Sequence, residues 1–114
     1  MLEELRNWVW KANQELDRSG LVKLTWGNVS GIDRERGLVV MKPSGVPYSD
    51  LQPDHMVILD LDGKVVEGHL NPSSDTRTHL CLYRAFQKIG GVTHSHSVHA
   101  TQFAQACREI PCFG

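Results

Sequence analysis

Two histidines separated by a single residue, His94 and His96, are the first candidates for chemistry in this sequence. They end an apolar run that follows Gly90-Gly91, and alternate residues of a strand face the same side, about 6.6 Å apart along the chain. Two imidazoles on one side can chelate one ion, and zinc accepts imidazole nitrogen together with carboxylate oxygen. Solvated or hydrogen-bonded histidines would give the same pattern, so a metal site needs a further ligand.

Asp75 is the natural carboxylate partner for these histidines. It lies in the first turn of a helix predicted to begin at Ser73-Ser74, where the helix dipole also favours a carboxylate for purely structural reasons. Metal binding and helix stabilisation therefore both stay open for Asp75. The other histidines are predicted to be packing, supporting or surface residues: His55, His69, His79 and His99.

Three polar segments could bind an anion or another small ligand. Ser73-Ser74 offers hydroxyls and free backbone N–H groups at a helix start, which suits phosphate as well as capping. Ser44-Gly45 combines a hydroxyl with a glycine that allows close backbone approach, and Gly27-Asn28 interrupts a strand as a bulge or a ligand contact would. Ordinary turns and helix caps would have the same residues at these positions, so both interpretations stay open. The candidate ligand-binding residues are Gly27, Asn28, Lys42, Ser44, Gly45, Ser73 and Ser74.

Hydrophobic periodicity and turn residues predict the elements that must position these groups. Apolar residues at three- and four-residue spacing from Leu2 to Leu16 predict a helix that ends near Ser19-Gly20. Two antiparallel hairpins follow, then a helix, a short strand and an alanine-rich helix. The predicted ranges are strands 24–32 and 38–41, strands 56–60 and 64–67, helix 73–88, strand 91–95 and helix 98–107.

Length and composition indicate one ordinary globular domain, residues 1–114. The hydrophobic fraction of 40% and the net charge of −1 argue against a disordered chain and against a membrane protein. Lys and Arg are scattered without a basic stripe, which argues against a nucleic-acid partner. The three cysteines lack CxxC spacing, so packed, reduced thiols are expected. With no signal-peptide pattern at the start, the expected location is cytoplasmic.

The order and spacing of four motifs carry more information than any motif alone. Together they resemble the L-ribulose-5-phosphate 4-epimerases of the class II aldolase family, and the resemblance covers nearly the whole chain. The motifs are Thr25-Trp26-Gly27-Asn28-Val29-Ser30, Lys42-Pro43-Ser44-Gly45-Val46, Pro72-Ser73-Ser74-Asp75-Thr76 and His94-Ser95-His96-Ser97.

The resemblance implies an α/β fold of three layers, α/β/α, around a mainly antiparallel sheet, assembled as a homotetramer. It implies that Asp75, His94 and His96 are ligands of a zinc cofactor, and that the seven candidate ligand-binding residues contact a sugar phosphate. The implied reaction inverts C4 of L-ribulose 5-phosphate to give D-xylulose 5-phosphate, by retro-aldol cleavage and re-addition. Zinc would stabilise the charge that develops on cleavage.

The family's third histidine ligand and its acid/base aspartate and tyrosine have no counterpart in this sequence, so no catalytic residue is assigned. We expect a domain that is incomplete at its C-terminus, with weak zinc binding and no measurable epimerase activity in isolation. Two alternatives stay open. One is a class II aldolase acting on a deoxy-sugar phosphate such as L-fuculose 1-phosphate, although those aldolases carry glutamate in place of Asp75. The other is a non-enzymatic remnant or interaction module.

Overall fold

A computed structural model describes residues 1–113, which form helices on both sides of a five-stranded sheet. Two single-turn 3₁₀ helices, Tyr48–Asp50 and Pro53–His55, join the two hairpins. The helices are α1 (Glu3–Arg18), α2 (Thr76–Ala85) and α3 (Val98–Gln105), and the strands are β1 (Asn28–Asp33), β2 (Leu38–Met41), β3 (Val57–Asp60), β4 (Val65–Glu67) and β5 (Gly91–His94).

The strand order is β4-β3-β2-β1-β5, and every neighbouring pair is antiparallel. Both predicted hairpins are confirmed, since β1 pairs with β2 and β3 pairs with β4. β5 arrives from far along the chain and pairs with the free edge of β1. This pairing places His94 opposite Asn28, which brings two of the predicted site residues together.

The alternation of side chains along the strands builds one core on each face of the sheet. On one face Val9 and Leu16 of α1 pack with Val40 and Ile58. On the other face Leu80 and Tyr83 of α2 pack with Ile32 and Val39. The predicted three-layer α/β/α arrangement around an antiparallel sheet is therefore confirmed.

Asn13 fastens α1 to the start of β1. Its fully buried carboxamide accepts a hydrogen bond from the Val29 N–H at 2.9 Å and donates one to the Val29 carbonyl at 3.0 Å. The carboxamide therefore satisfies both backbone groups of Val29, as a neighbouring strand would, because buried N–H and C=O groups need hydrogen-bond partners. A third hydrogen bond, from Asn13 Nδ2 to the Val9 carbonyl at 2.8 Å, fixes the carboxamide to its own helix.

The first strand begins later than predicted. β1 starts at Asn28, whereas the sequence pattern placed its start at residue 24. Leu24 has a left-handed φ of 52°, and the Trp26 N–H donates to the Lys23 carbonyl at 2.8 Å, so these residues form a turn. The apolar residues in this segment suggested a strand. Gly27, whose φ is 78°, also lies outside the extended conformation, so the strand begins only after it.

The helix predicted over residues 73–88 is shorter at both ends. Asp75 is its N-cap, one position before the first helical residue, rather than a member of the first turn. At the far end the guanidinium of Arg34 donates to the carbonyls of Tyr83, Phe86 and Ile89 at 2.8–2.9 Å. These bonds satisfy carbonyl groups that have no partner within the helix. The helix can therefore end at Ala85, before Gly90-Gly91.

The last part of the chain differs from the predictions in two ways. β5 ends at His94 and α3 ends at Gln105, each slightly before its predicted limit. The cysteines, predicted to be packed, are exposed, because Cys81 lies on the outer face of α2 and the other two follow α3: Cys81, Cys107 and Cys112. None of the helices in residues 1–113 is both long and apolar enough to cross a membrane.

Replacing Asn13 with alanine should cost about 2–4 kcal/mol of unfolding free energy, because two buried backbone groups of Val29 lose their partners. Urea unfolding measures the change. Asn7→Ala is the matched control, since exposed Asn7 also bonds the carbonyl four residues earlier in α1 and touches no strand. Its cost should stay within about 0.5 kcal/mol. Equal losses in the two variants would contradict the proposed fastening role.

Candidate active site

One cleft of about 330 Å³ gathers every site residue that the sequence predicted. Three further residues line it, Thr25, Trp26 and Pro43, which the sequence analysis placed in motifs without assigning them a role. The predicted residues in the cleft are Gly27, Asn28, Lys42, Ser44, Gly45, Ser73, Ser74, Asp75, His94 and His96. Their convergence in space is a finding, and their roles in binding stay predictions.

Backbone hydrogen bonds join the two serine-containing segments across the cleft floor. The Ser44 N–H donates to the Asn71 carbonyl at 2.8 Å, and the Ser73 N–H donates to the Lys42 carbonyl at 3.1 Å. Pro43 and Pro72 form an isolated bridge between the same segments. The chain leaving β2 and the chain entering α2 therefore lie side by side, which sets both groups of hydroxyls on one wall.

Asp75 connects three elements at the centre of the cleft. Its Oδ2 accepts a hydrogen bond from Asn28 Nδ2 at 2.7 Å and lies 2.8 Å from His94 Nδ1. Burial raises the pKa of Asp75, but the hydrogen bonds from Asn28 and His94 outweigh it, so the pKa lies below its usual value. An ionised carboxylate only accepts, so Nδ1 of His94 donates the proton of this hydrogen bond, and in a neutral imidazole Nε2 would then carry the lone pair.

His96 lies beyond the end of β5, so the strand spacing used to predict its orientation was wrong. Its backbone N–H instead donates to the Leu21 carbonyl at 2.7 Å. The imidazole still meets its predicted partner, because the ring centroids of His94 and His96 are 4.8 Å apart. The Trp26 ring lies on another side of His96, at 5.6 Å between centroids.

The donor set in the cleft fits zinc by chemistry, since it offers two neighbouring imidazoles and a carboxylate that is hydrogen-bonded to one of them. In residues 1–113, however, no three His, Cys, Asp or Glu side chains form a cluster that could hold a metal as they stand. The hydrogen bond between Asp75 and His94 occupies the position between two of the donors. A metal that used all three side chains would have to displace this hydrogen bond.

Lys42 is a buried cation at the cleft, with only 1% of its surface exposed. Its Nζ donates to the carbonyls of Thr25 at 3.2 Å and Pro43 at 3.4 Å, and lies 4.7 Å from the centre of the Tyr48 ring. Burial lowers the pKa of Lys42. No carboxylate of residues 1–113 forms an ion pair with it. The site therefore carries positive charge that an anion could neutralise.

Tyr48 holds the loop that leads into β1, a role that the sequence analysis missed. Its hydroxyl shares its single proton between the carbonyls of Trp26 and Gly27, at 3.0 and 2.8 Å. Burial, with a contribution from Asp17, raises the pKa of Tyr48 to about 12. A Cβ at Gly27 would lie 2.3 Å from Cγ1 of Val22. An aromatic residue after Pro47 gives no local signal of this distant contact.

A second polar network lies beneath the cleft. Ser30 Oγ is 2.7 Å from both His79 Nδ1 and the Tyr83 hydroxyl, and His79 is fully buried. The predicted packing role of His79 is therefore confirmed. Burial lowers the pKa of His79 to about 4, against an opposing effect of the Asp75 carboxylate.

The remaining histidines lie outside the cleft lining. His69 is exposed, as predicted, and His55 is partly buried. His99, predicted to pack or to support the site, is exposed on α3 and does neither.

Comparison with known proteins identifies the family. The sequence profile of the Class II Aldolase and Adducin N-terminal domain matches residues 7–114. The chain is 58% identical over 113 residues to the L-ribulose-5-phosphate 4-epimerase UlaF of Salmonella paratyphi B, which covers 99% of this chain and 50% of the relative. The UlaF proteins of Salmonella paratyphi A and Salmonella typhi match to the same extent.

Solved structures give the same relationship. An L-fuculose 1-phosphate aldolase superposes with a TM-score of 0.91 at 32% identity, over 96% of this chain and 51% of that protein. YgbL from Escherichia coli, described as a putative aldolase/epimerase/decarboxylase, superposes with a TM-score of 0.81 at 25% identity, over 90% of this chain and 48% of that protein. The chain spans about half the length of the relatives that it matches.

The chain therefore belongs to the class II aldolase and adducin N-terminal domain family. Within that family, the predicted resemblance to the L-ribulose-5-phosphate 4-epimerases is confirmed over nearly the whole chain. By family, this is an epimerase-like sequence.

The buried His79 predicts how stability depends on pH. The native side chain takes up a proton only near pH 4, whereas the unfolded one does so near pH 6.5, so the unfolded state binds more protons between these values. The free energy of unfolding should therefore fall as the pH drops from 6.5 to 4, by about 3 kcal/mol from this residue. Urea unfolding of His79→Gln at several pH values should therefore show a free energy of unfolding that falls by about 3 kcal/mol less over this pH range.

His69→Gln is the matched control, because this exposed histidine contributes no buried group. NMR titration of the unmutated chain supplies a measurement that does not depend on the variant folding. Parallel pH curves for the unmutated chain and His79→Gln, or a His79 ring that titrates near pH 6.5, would contradict the prediction.

Proposed function

We propose that this chain provides the zinc- and phosphate-binding cleft of an L-ribulose-5-phosphate 4-epimerase, which interconverts L-ribulose 5-phosphate and D-xylulose 5-phosphate. The observation that carries the proposal is the meeting of two kinds of group in one cleft. The lining combines metal donors with hydroxyls and an unneutralised lysine. The similarity to the UlaF epimerases supports the choice of substrate.

The phosphate would bind beside Lys42, Ser44, Gly45, Ser73 and Ser74. Ser73 Oγ accepts hydrogen bonds from Asn28 Nδ2 at 3.1 Å and from the Asp75 N–H at 3.3 Å, so its own proton is free to be donated. Gly45 has a φ of 71°, and a Cβ there would meet nothing within 4 Å, so its surroundings are open to a ligand. Lys42 would supply the charge that balances the phosphate.

Zinc would be held by His94, His96 and Asp75, with a further ligand from outside these residues. Bound there, it would act as a Lewis acid toward the oxygens of the sugar. The hydrogen bond between Asp75 and His94 already keeps two of these side chains next to each other, and it would give way when both bind the metal.

Asn28 links the two halves of the proposed site. Its amide nitrogen donates to Ser73 and to Asp75, and its buried Oδ1 has no hydrogen-bond partner within residues 1–113. A substrate hydroxyl could satisfy that oxygen, since an unpaired buried acceptor is costly. A sugar held at both ends would keep its fragments in place during cleavage and rotation, which inversion at C4 by a retro-aldol route requires.

No residue of this chain is assigned to proton transfer. The homotetramer and the cytoplasmic location expected from the sequence are also proposals that rest on the resemblance. The second candidate function is cleavage of a deoxy-sugar phosphate, supported by the structural similarity to an L-fuculose 1-phosphate aldolase. Asp75, in place of the glutamate of those aldolases, and the identity to the epimerases favour the first candidate.

Calorimetric titration with each sugar phosphate tests the proposal. We expect L-ribulose 5-phosphate to bind at least about tenfold more tightly than L-fuculose 1-phosphate, a difference of about 1.4 kcal/mol, and to need zinc. His96→Ala should weaken zinc binding, whereas His69→Ala, at an exposed position outside the cleft, should not. A preference for L-fuculose 1-phosphate, or binding that ignores zinc, would overturn the epimerase assignment. A coupled assay for D-xylulose 5-phosphate tests the expectation that the isolated chain lacks turnover.

Lys42→Met should separate binding from stability. The variant removes a charged partner of the phosphate, so inorganic phosphate should bind about 10- to 100-fold more weakly, as expected for a charged hydrogen bond. Urea unfolding should show only a small loss of stability, since removing a lone buried charge offsets the hydrogen bonds lost to the Thr25 and Pro43 carbonyls. Lys64→Met, at an exposed lysine of the second hairpin, is the control and should change neither quantity. Unchanged phosphate affinity in Lys42→Met would contradict the prediction.

A further inference from the structure

Trp26 presents a large apolar ring at the rim of the cleft. Its indole is 55% exposed, which is unusual for the largest side chain in a polar site. The backbone is held on both sides, because the Trp26 N–H donates to the Lys23 carbonyl at 2.8 Å and the Trp26 carbonyl accepts from the Tyr48 hydroxyl at 3.0 Å. The indole therefore projects from a fixed point of attachment.

His96 depends on ring contacts for its orientation. Its backbone is fixed by the bond to Leu21, but the ring nitrogens have no hydrogen-bond partner within residues 1–113. The imidazole has the Trp26 ring at 5.6 Å, with 38° between the planes, and the His94 ring at 4.8 Å, with 37° between the planes. His94 is held separately by Asp75, and the indole lies beside the His96 ring as its other aromatic neighbour.

We propose that Trp26 is a positioning residue, whose indole holds the His96 imidazole in the orientation that binds the metal. This inference rests on the proposed function, because it takes His96 to be a ligand. A histidine whose ring is already ordered loses less conformational freedom when it binds, and so binds more tightly. Groups that orient metal ligands in this way typically change metal affinity by about 10- to 100-fold.

A purely structural role for the indole predicts something different. An indole that is more than half exposed contributes little apolar burial, so its removal should cost little stability. Trp8 offers a close comparison, since it is 62% exposed on α1, far from the cleft lining. Its ring contacts the ammonium group of Lys11 and none of the site residues.

The test compares Trp26→Leu, Trp26→Gln, Trp26→Phe and Trp8→Leu in the full 114-residue chain. NMR of the metal-free protein reports on stacking, through the ring-current shift and the relaxation of the His96 ring carbons. Calorimetric titration with zinc alone then reports on metal affinity. Trp26→Gln places a polar side chain at this exposed position and provides a second variant if Trp26→Leu does not fold.

We expect Trp26→Leu and Trp26→Gln to lose the ring-current shift, to increase His96 ring motion and to weaken zinc binding about tenfold. Trp26→Phe should retain most of the affinity, and Trp8→Leu should match the unmutated chain. Zinc affinity that is unchanged in Trp26→Leu and Trp26→Gln would overturn the inference, as would a His96 ring that stays ordered in both.

The metal-free measurement separates this inference from the proposed function. If the unmutated chain binds no zinc while the Trp26 variants still release the His96 ring, the zinc assignment fails and the ordering of His96 by the indole is supported. If zinc binds normally and the ring is equally ordered in every variant, the zinc assignment holds and the positioning role of Trp26 is overturned.

Discussion

The hydrogen bonds to a single carboxylate oxygen, Oδ2 of Asp75, tie the candidate site together. Asn28 brings the start of β1 to this oxygen, and His94 brings the end of β5. Asp75 itself is the N-cap of α2. Three elements that are distant in sequence therefore meet at one charged atom. The low pKa of Asp75 shows that these bonds stabilise its charge more strongly than burial opposes it.

The rest of the fold holds these partners in place. Asn13 and Tyr48 act on either side of Asn28, one bonding the backbone of Val29 and the other the carbonyl of Gly27. The register between β5 and β1 places His94 directly opposite Asn28. The polar cleft is thus supported by hydrogen bonds to backbone as well as by the two apolar cores, which limits how far any one ligand can move.

Membership of the class II aldolase family explains why such a site occurs on this sheet. The same fold carries epimerases and aldolases, so the fold does not choose the reaction. Within the cleft, the groups proposed to bind substrate or metal include the carboxylate of Asp75 and the ammonium of Lys42, with Trp26 proposed to position His96.

The sequence by itself determined the two hairpins, because turn residues and side-chain periodicity are local properties. The order of its motifs indicated the family and the polar residues of the cleft, and the resemblance to that family implied the three layers. It did not determine where β1 begins, because Leu24 and Gly27 have positive φ angles that are incompatible with a strand, although the segment contains apolar residues. Nor did it reveal the roles of Asn13, Tyr48 or the Trp26 indole. Tertiary structure alone decided these contacts, because each joins residues that are distant in sequence and that only the folded sheet brings together.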